Sequence, residues 1–577
     1  MRLILGTIIF WIIIFGIKKF LEKKLKIDSA FTLAITFSLI GIIMFISGIL
    51  NIMPLIAILL SISSIIYLIY SLHKEKPTLK DLKKNIIKPS VYIPIIIFIY
   101  ITIIGMNMHL THYDNFSHWG LIIKNILLDG ALPNFEDTMI MFKGYQPGSA
   151  CFIYLYGLLA GNKEGTMIIA QNYLIFAYLT PLFKFIKGNN KLIKNLLIIA
   201  FYIFIMTVSI KFNDLLVDSL ISTMTIASLS VITYYKKDLK KSFWYSIPIT
   251  LFIFLVKNTG FLIGIINSIY ILYLAKKNKN IKEGWKYTFL TLLILSSTLL
   301  IWQGHVKLVF GDLALHSKHS LSSDNVILSL RTKGWDKIFE LIKAYALHFF
   351  TFKNNITNIF MLIINAVLLL FSVTEKDKKE RKNILLLTGT VDILYLIYYG
   401  VIGGMYLFSM PWEEAIVFAG YERYMTTITL IIIGIVLLYL LGYSERKNNY
   451  KLLMIPSIIL MLIPLFIFKG NTNALMGQDW YQGTKVNRYD MILEEYNIKK
   501  TTATYYIYSP SSKDDFSYLH FVSKYKLNSG NVEMIYSKED LNLTNPGILI
   551  FFDEDKELMK EAKEKGWINK TELIYEK

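Results

Sequence analysis

The chain reads as mainly α: a polytopic membrane protein of about fourteen transmembrane helices followed by a small α/β domain. Three observations predict this. Of its 577 residues 54% are hydrophobic and the mean hydropathy is +0.47, with apolar runs long enough to cross a bilayer recurring along most of the chain. Second, 32 of the 61 lysines and arginines fall in seven short loops between those runs, the pattern of loops held on the cytoplasmic side. Third, from residue 469 the apolar runs shorten and charge is interspersed.

The first run, 3–17, has its lysines behind it and no small-residue cleavage site, so it reads as a helix and not as a leader. Spans follow at 29–50, 53–72 and 91–108. The next are 165–186, 193–210, 214–235, 243–257, 258–275, 286–303, 354–373, 384–407, 426–443 and 452–468. The basic loops between them are 18–26, 73–88, 184–194, 236–241, 276–286, 375–382 and 445–451. Keeping all seven on one side requires the apolar piece 149–160, short for a span, to be a juxtamembrane helix. The net charge of +19 therefore reports topology, and a nucleic-acid partner is not implied. A single cysteine, Cys151, excludes an intramolecular disulfide. The abundance of Ile, Lys and Asn suggests a bacterial source, hence a plasma membrane.

The loop 109–148 organises the opposite, external side. It opens with His112-Tyr113-Asp114, and Phe116, Trp119, Ile123, Ile126 and Leu127 then fall at helical spacing. Such a helix suits a flat position in the membrane surface, with Gly130 and Pro133 ending it. The loop closes on Tyr145-Gln146-Pro147-Gly148. Further external loops carry Lys211-Phe212-Asn213-Asp214 with Asp218, then Lys257-Asn258-Thr259-Gly260. The last two hold His316-Ser317-Lys318-His319, and Trp412-Glu413-Glu414 with Tyr421-Glu422-Arg423-Tyr424. Eight of nine histidines fall on this side, which points to one-sided polar chemistry. Beyond residue 469, strands are expected at 505–509, 532–535 and 548–552. Helices are expected at 516–525 and 556–565, with Gly566 as stop.

In this order and sidedness the chain resembles the GT-C superfamily of membrane glycosyltransferases, relatives of protein O-mannosyltransferases and the lipid A aminoarabinose transferase. The resemblance lies in Tyr113-Asp114 after an early helix, the flat helix behind it, and Tyr145-Gln146-Pro147-Gly148 in place of an aromatic-Pro-Pro. It continues in Asp214 and Asp218 opening a later helix, and in Lys257 followed by Gly260. It covers residues 91–468 as a core, with 1–90 as additional N-terminal helices and 469–577 as an extracytoplasmic domain. Asp114 is followed by Asn115 where some members carry a second acid, so a divalent cation stays an open option and no other cofactor is implied.

The resemblance implies transfer of a sugar from a polyprenyl phosphate to a cell-surface glycopolymer. That chemistry needs a base for the acceptor hydroxyl and positive charge on the departing phosphate. Asp114 fits the base; a helix cap is the plainer role for it. Lys257 and Arg423 fit donor-phosphate ligands. For Lys257 the alternative is snorkelling, and for Arg423 a pair with Glu413, Glu414 or Glu422. His118, Asp214, Asp218 and His319 are candidate contacts to substrate or metal. His118 is four residues beyond Asp114, hence on its helical face. Packing for His118, a cap for Asp214 and a solvated loop for His319 are the alternatives. A lipid-linked saccharide flippase or other transporter, which would want charges on midplane helix faces, and a non-catalytic scaffold are the rival functions.

Overall fold

The computed structural model describes residues 1–188, 190–208, 212–311, 323–352, 355–447, 451–475, 480–494, 496, 503–542 and 544–577. Every expected span coincides with a helix. The first group is α1 (Arg2–Lys24), α2 (Ser29–Ile49), α3 (Met53–Glu75), α4 (Leu79–Ile86) and α5 (Pro89–Gly105). After the organising loop, with α6 (Gly120–Asp129) and α7 (Gly148–Ala160), come α8 (Glu164–Ala177), α9 (Lys191–Thr207), α10 (Asp218–Tyr234), α11 (Leu239–Val256) and α12 (Gly260–Lys277). Then follow α13 (Ile281–Phe310), α14 (Ser323–His348), α15 (Ile356–Thr374), α16 (Lys378–Phe408), α17 (Trp412–Ala415), α18 (Tyr421–Lys447) and α19 (Met454–Phe466).

Among the described residues ten helices are long and apolar enough to cross a membrane, α8 being extended to Phe185 by a 3-10 turn. The bent pair α4–α5, broken by 76° ahead of Pro89, brings the number to eleven. Of the fourteen expected, α9 and α10 have 17 residues each and α19 has 13, which leaves them below that length. Helix α10 starts at Asp218, four residues later than expected, and ahead of it the Leu215 N–H donates to Asn115 Oδ1 at 3.0 Å.

Two surface expectations give way to packing. Segment 149–160 is a helix too short to cross, but it does not lie on a surface: α7 is buried against α1 and α2. Thr7 Oγ1 and Tyr156 OH lie 2.7 Å apart, and a Cβ at Gly6 would sit 2.5 Å from the Leu159 carbonyl, so only glycine lets these helices touch. The stripe of Phe116, Trp119, Ile123 and Ile126 is likewise covered by protein and not by lipid. Gly130 ends its helix at φ +67°, as expected.

The seven basic loops meet at one end of the bundle. Lys19 pairs with Glu75 at 2.9 Å and Lys184 with Asp28. The Asp28 N–H donates to Tyr235 OH at 3.4 Å, and Asn278 Nδ2 to Lys236 O at 2.6 Å. Lys194 pairs with Glu445 at 2.9 Å, and Lys447 with Asp377 at 2.7 Å.

At the opposite end sits the C-terminal domain, after α20 (Lys469–Leu475) and α21 (Lys485–Leu493). Its five-stranded sheet has the order Val532–Ile535, Tyr505–Tyr508, Ile548–Phe551, Ile574–Glu576 and Ile568–Thr571. Strands β1 (Tyr505–Tyr508), β2 (Val532–Ile535) and β3 (Ile548–Phe551) stand where the sequence puts them, β1 running parallel to both neighbours. The helices α22 (Tyr518–Leu527) and α23 (Lys556–Glu564) also match. The antiparallel pair β4 (Ile568–Thr571) and β5 (Ile574–Glu576) was not expected. Helix α22 docks on the organising loop: Tyr518 and Tyr525 hold Phe116 edge-on at 6.0 and 5.2 Å. Lys526 bridges Glu164 at 2.8 Å and Asp490 at 2.7 Å.

Candidate functional site

The loop after α5 is strapped along its backbone. The Leu110 N–H donates to Glu164 Oε2 at 2.8 Å, Asn213 Nδ2 to His109 O at 2.8 Å, and Tyr518 OH to Thr111 O at 2.6 Å. These bonds carry the chain to Asp114 and into one π turn, Asn115–Trp119, ahead of α6. The Asp114 side chain makes no capping hydrogen bond there, so the plainer role is not the one it takes. Asn115 is fully buried and bridges outward: its Nδ2 donates to Asp214 Oδ1 at 3.3 Å while its Oδ1 holds Leu215. The residue standing where a second acid would be is thus a structural tie between the loop and α10.

Three separate loops then converge. Asp218 opens α10, Lys257 closes α11 and Arg423 lies in the first turn of α18. Lys257 Nζ meets Asp218 Oδ1 at 2.9 Å. Arg423 pairs with Asp114 through Nη1, and its Nε lies 3.7 Å from Asp218 Oδ2 without a hydrogen bond. Tyr424 forms the floor: its ring centroid is 4.8 Å from the Arg423 guanidinium and 5.3 Å from Lys257 Nζ, and its hydroxyl accepts from Arg423 Nη2 at 3.0 Å. Two carboxylates and two cations alternate. Asp218 is only 5% exposed, whereas Asp114 is 28%, Lys257 26% and Arg423 23% exposed. A ligand at the surface can therefore reach the last three, while Asp218 lies beneath and aligns both cations.

Arg423 does not pair with Glu413, Glu414 or Glu422. Glu422 accepts from the Ile356 N–H at 2.8 Å, at the head of α15. Lys257 is not a lone snorkelling cation either. Asp214 is buried and holds Asn115. His118 follows Asp114 within the π turn. Its ring is buried with neither nitrogen hydrogen-bonded, edge-on to Trp119, Tyr145 and Phe142 at 4.7, 5.0 and 5.7 Å. Burial pushes its pKa down to about 4, against the pull of Asp114, so the imidazole is neutral. Burial also raises the Tyr145 hydroxyl to about 12, so it too stays neutral. His319 and Lys211 lie outside the described residues.

Among the described residues no three His, Cys, Asp or Glu side chains come together as a cation's ligand set. Asp114 and Asp218, the nearest carboxylates, already face Arg423 and Lys257, so as arranged these groups do not fit a divalent cation. Tyr424 is the member of the site that the sequence does not single out. Aromatic residues at span ends are usually interface anchors, and only its place beside Arg423 hints otherwise. No family model, curated protein or solved structure matches the chain.

Proposed function

We propose that this protein is a glycosyltransferase that moves a sugar from a polyprenyl-phosphate donor to a cell-surface glycopolymer. On this reading all fourteen apolar helices cross a bacterial plasma membrane in a GT-C-like arrangement. The site and the C-terminal domain face outward, and the basic loops face the cytoplasm. The observation that carries the reading is the cluster of Asp114, Arg423, Asp218 and Lys257 at the end of the bundle remote from those loops.

Arg423 and Lys257 hold the donor phosphate, and Asp218 keeps both cations aligned. In the arrangement described, Asp114 is engaged by Arg423. A phosphate entering the cluster draws the guanidinium toward itself and frees the carboxylate. Asp114 then accepts the proton of the acceptor hydroxyl as that oxygen attacks the anomeric carbon. The bond from anomeric carbon to phosphate oxygen breaks, and the electron pair stays on the phosphate, neutralised by the two cations.

The transporter reading has one observation in its favour. Asp392, near the middle of α16, accepts from Asn365 Nδ2 of α15 at 3.0 Å. A single acid–amide pair is no path, and the charges of the cluster lie at helix ends.

The test is mass spectrometry of surface glycopolymers from cells with the protein, without it, and with Asp114→Asn. Loss of one sugar substituent in both altered strains is expected, because the amide cannot take the proton and a factor of about 10²–10⁴ in rate is lost. Unchanged glycans in the strain lacking the protein would overturn the reading.

A further inference from the structure

Helix α14 lies in the long loop between α13 and α15, at the same end of the bundle as the charged cluster. Hydrogen bonds fix its position: Lys333 Nζ donates to Tyr406 O and Leu407 O at 2.9 and 2.8 Å, closing the end of α16. Further along, Tyr345 stacks on Tyr399 at 4.3 Å and donates to its carbonyl at 2.8 Å. The helix is kinked at Gly334, whose φ of +70° suits glycine. Beyond the kink it has three faces. Ile338, Leu341 and Tyr345 point to the bundle. Asp336, Glu340 and Lys343 form a polar exposed face. The third is apolar and just as exposed: Trp335, Phe339, Ile342 and Ala346 recur at helical spacing and Phe350 follows in the turn after the helix, with Trp335 75% and Phe350 74% exposed.

A second apolar stripe left to water would be costly in a soluble protein. Here it adjoins a lipid-facing surface. Tyr399, the stacking partner of Tyr345, is flanked on α16 by Leu396, Ile397 and Val401, all outward on a helix long and apolar enough to span. We infer that α14 is an in-plane membrane helix, with Trp335, Phe339, Ile342, Ala346 and Phe350 immersed at the headgroup–acyl boundary and its polar face in water. The occupant of the exposed stripe is the lipid leaflet itself. The inference does not rest on the proposed sugar transfer. It gives the leaflet a mechanical link to the charged cluster, because His348 and Tyr345 pack on Tyr421 at 4.5 and 6.3 Å, two residues before Arg423.

The full chain, with Cys151 replaced by alanine, would carry one nitroxide at a time in vesicles of phosphatidylethanolamine and phosphatidylglycerol. Labels at Phe339→Cys and Ala346→Cys should collide with oxygen more than with a water-soluble nickel chelate, and labels at Glu340→Cys and Lys343→Cys the reverse. All four positions are exposed, so labelling does not require the helix to open. Equal nickel access on both faces would put α14 in water, and equal protection from nickel on both faces would mean protein covers it. Either result overturns the inference.

Discussion

At the scale of single residues the site is a matter of who holds whom. Asp218 is nearly buried and its charge is matched by Lys257 at 2.9 Å. Lys257→Met leaves that carboxylate without its closest cation, and breaking such a pair costs about 3–5 kcal/mol. The double variant Lys257→Met/Asp218→Leu removes both charges, so it should melt higher than Lys257→Met alone, while both should lose the proposed transfer. A double variant that melts no higher would show that Asp218 is not held by Lys257. His118 gives a pH dependence. Its ordinary value is 6.5 and burial holds it near 4, so the unfolded chain takes up a proton that the folded chain refuses. Folded stability should therefore fall as pH drops from about 6.5 to about 4. His118→Phe removes two orphaned nitrogens from an aromatic cage and should flatten that slope, as read by melting temperature across pH. An unchanged slope would assign it to other groups.

At the scale of elements, what was legible follows from the range of the forces involved. Helix positions come from run length and stop residues, so each expected span has its helix. The strands 505–508, 532–535 and 548–551 announce themselves by apolar content, while Ile568–Thr571 is mostly exposed and polar, so β4 gave no signal. The four charged site residues stand out in sequence because each sits at the end of an apolar run. Their pairings do not, since Arg423 lies 309 residues from Asp114, and the nearer acids were the natural guess. The π turn was equally invisible: 115–119 has the spacing of an ordinary helix. It is held by close packing, for a Cβ at Gly120 would lie 2.8 Å from the Asn115 carbonyl. Gly120→Ala should therefore disturb Asp114 without touching it, cutting the proposed transfer while the protein still reaches the membrane. Full activity in that variant would mean the turn tolerates relaxation.

At the scale of the whole molecule, the meeting of seven basic loops at one end makes sidedness a single choice. With Cys151→Ala as background, a cysteine at Glu136, exposed in the organising loop, should react with an impermeant thiol reagent in intact cells. One at Lys240, exposed in a basic loop, should not. The opposite pattern would move the site to the cytoplasmic face and remove the polyprenyl-sugar reading with it.

The hydrogen bond from Tyr518 to Thr111 spans 407 residues, and this has a consequence in time. At about 5–20 residues per second, the ribosome needs roughly 20–80 s to add the helix that straps the loop bearing Asp114. Until then the bundle can insert, but that loop lacks its cover. The loop bearing Asp114 is thus covered only after every helix of the bundle has been made, and a chain cut short after α19 should be inserted yet open to protease near residue 136. Resistance of that loop in the shortened chain would show that it is shaped without its C-terminal partner.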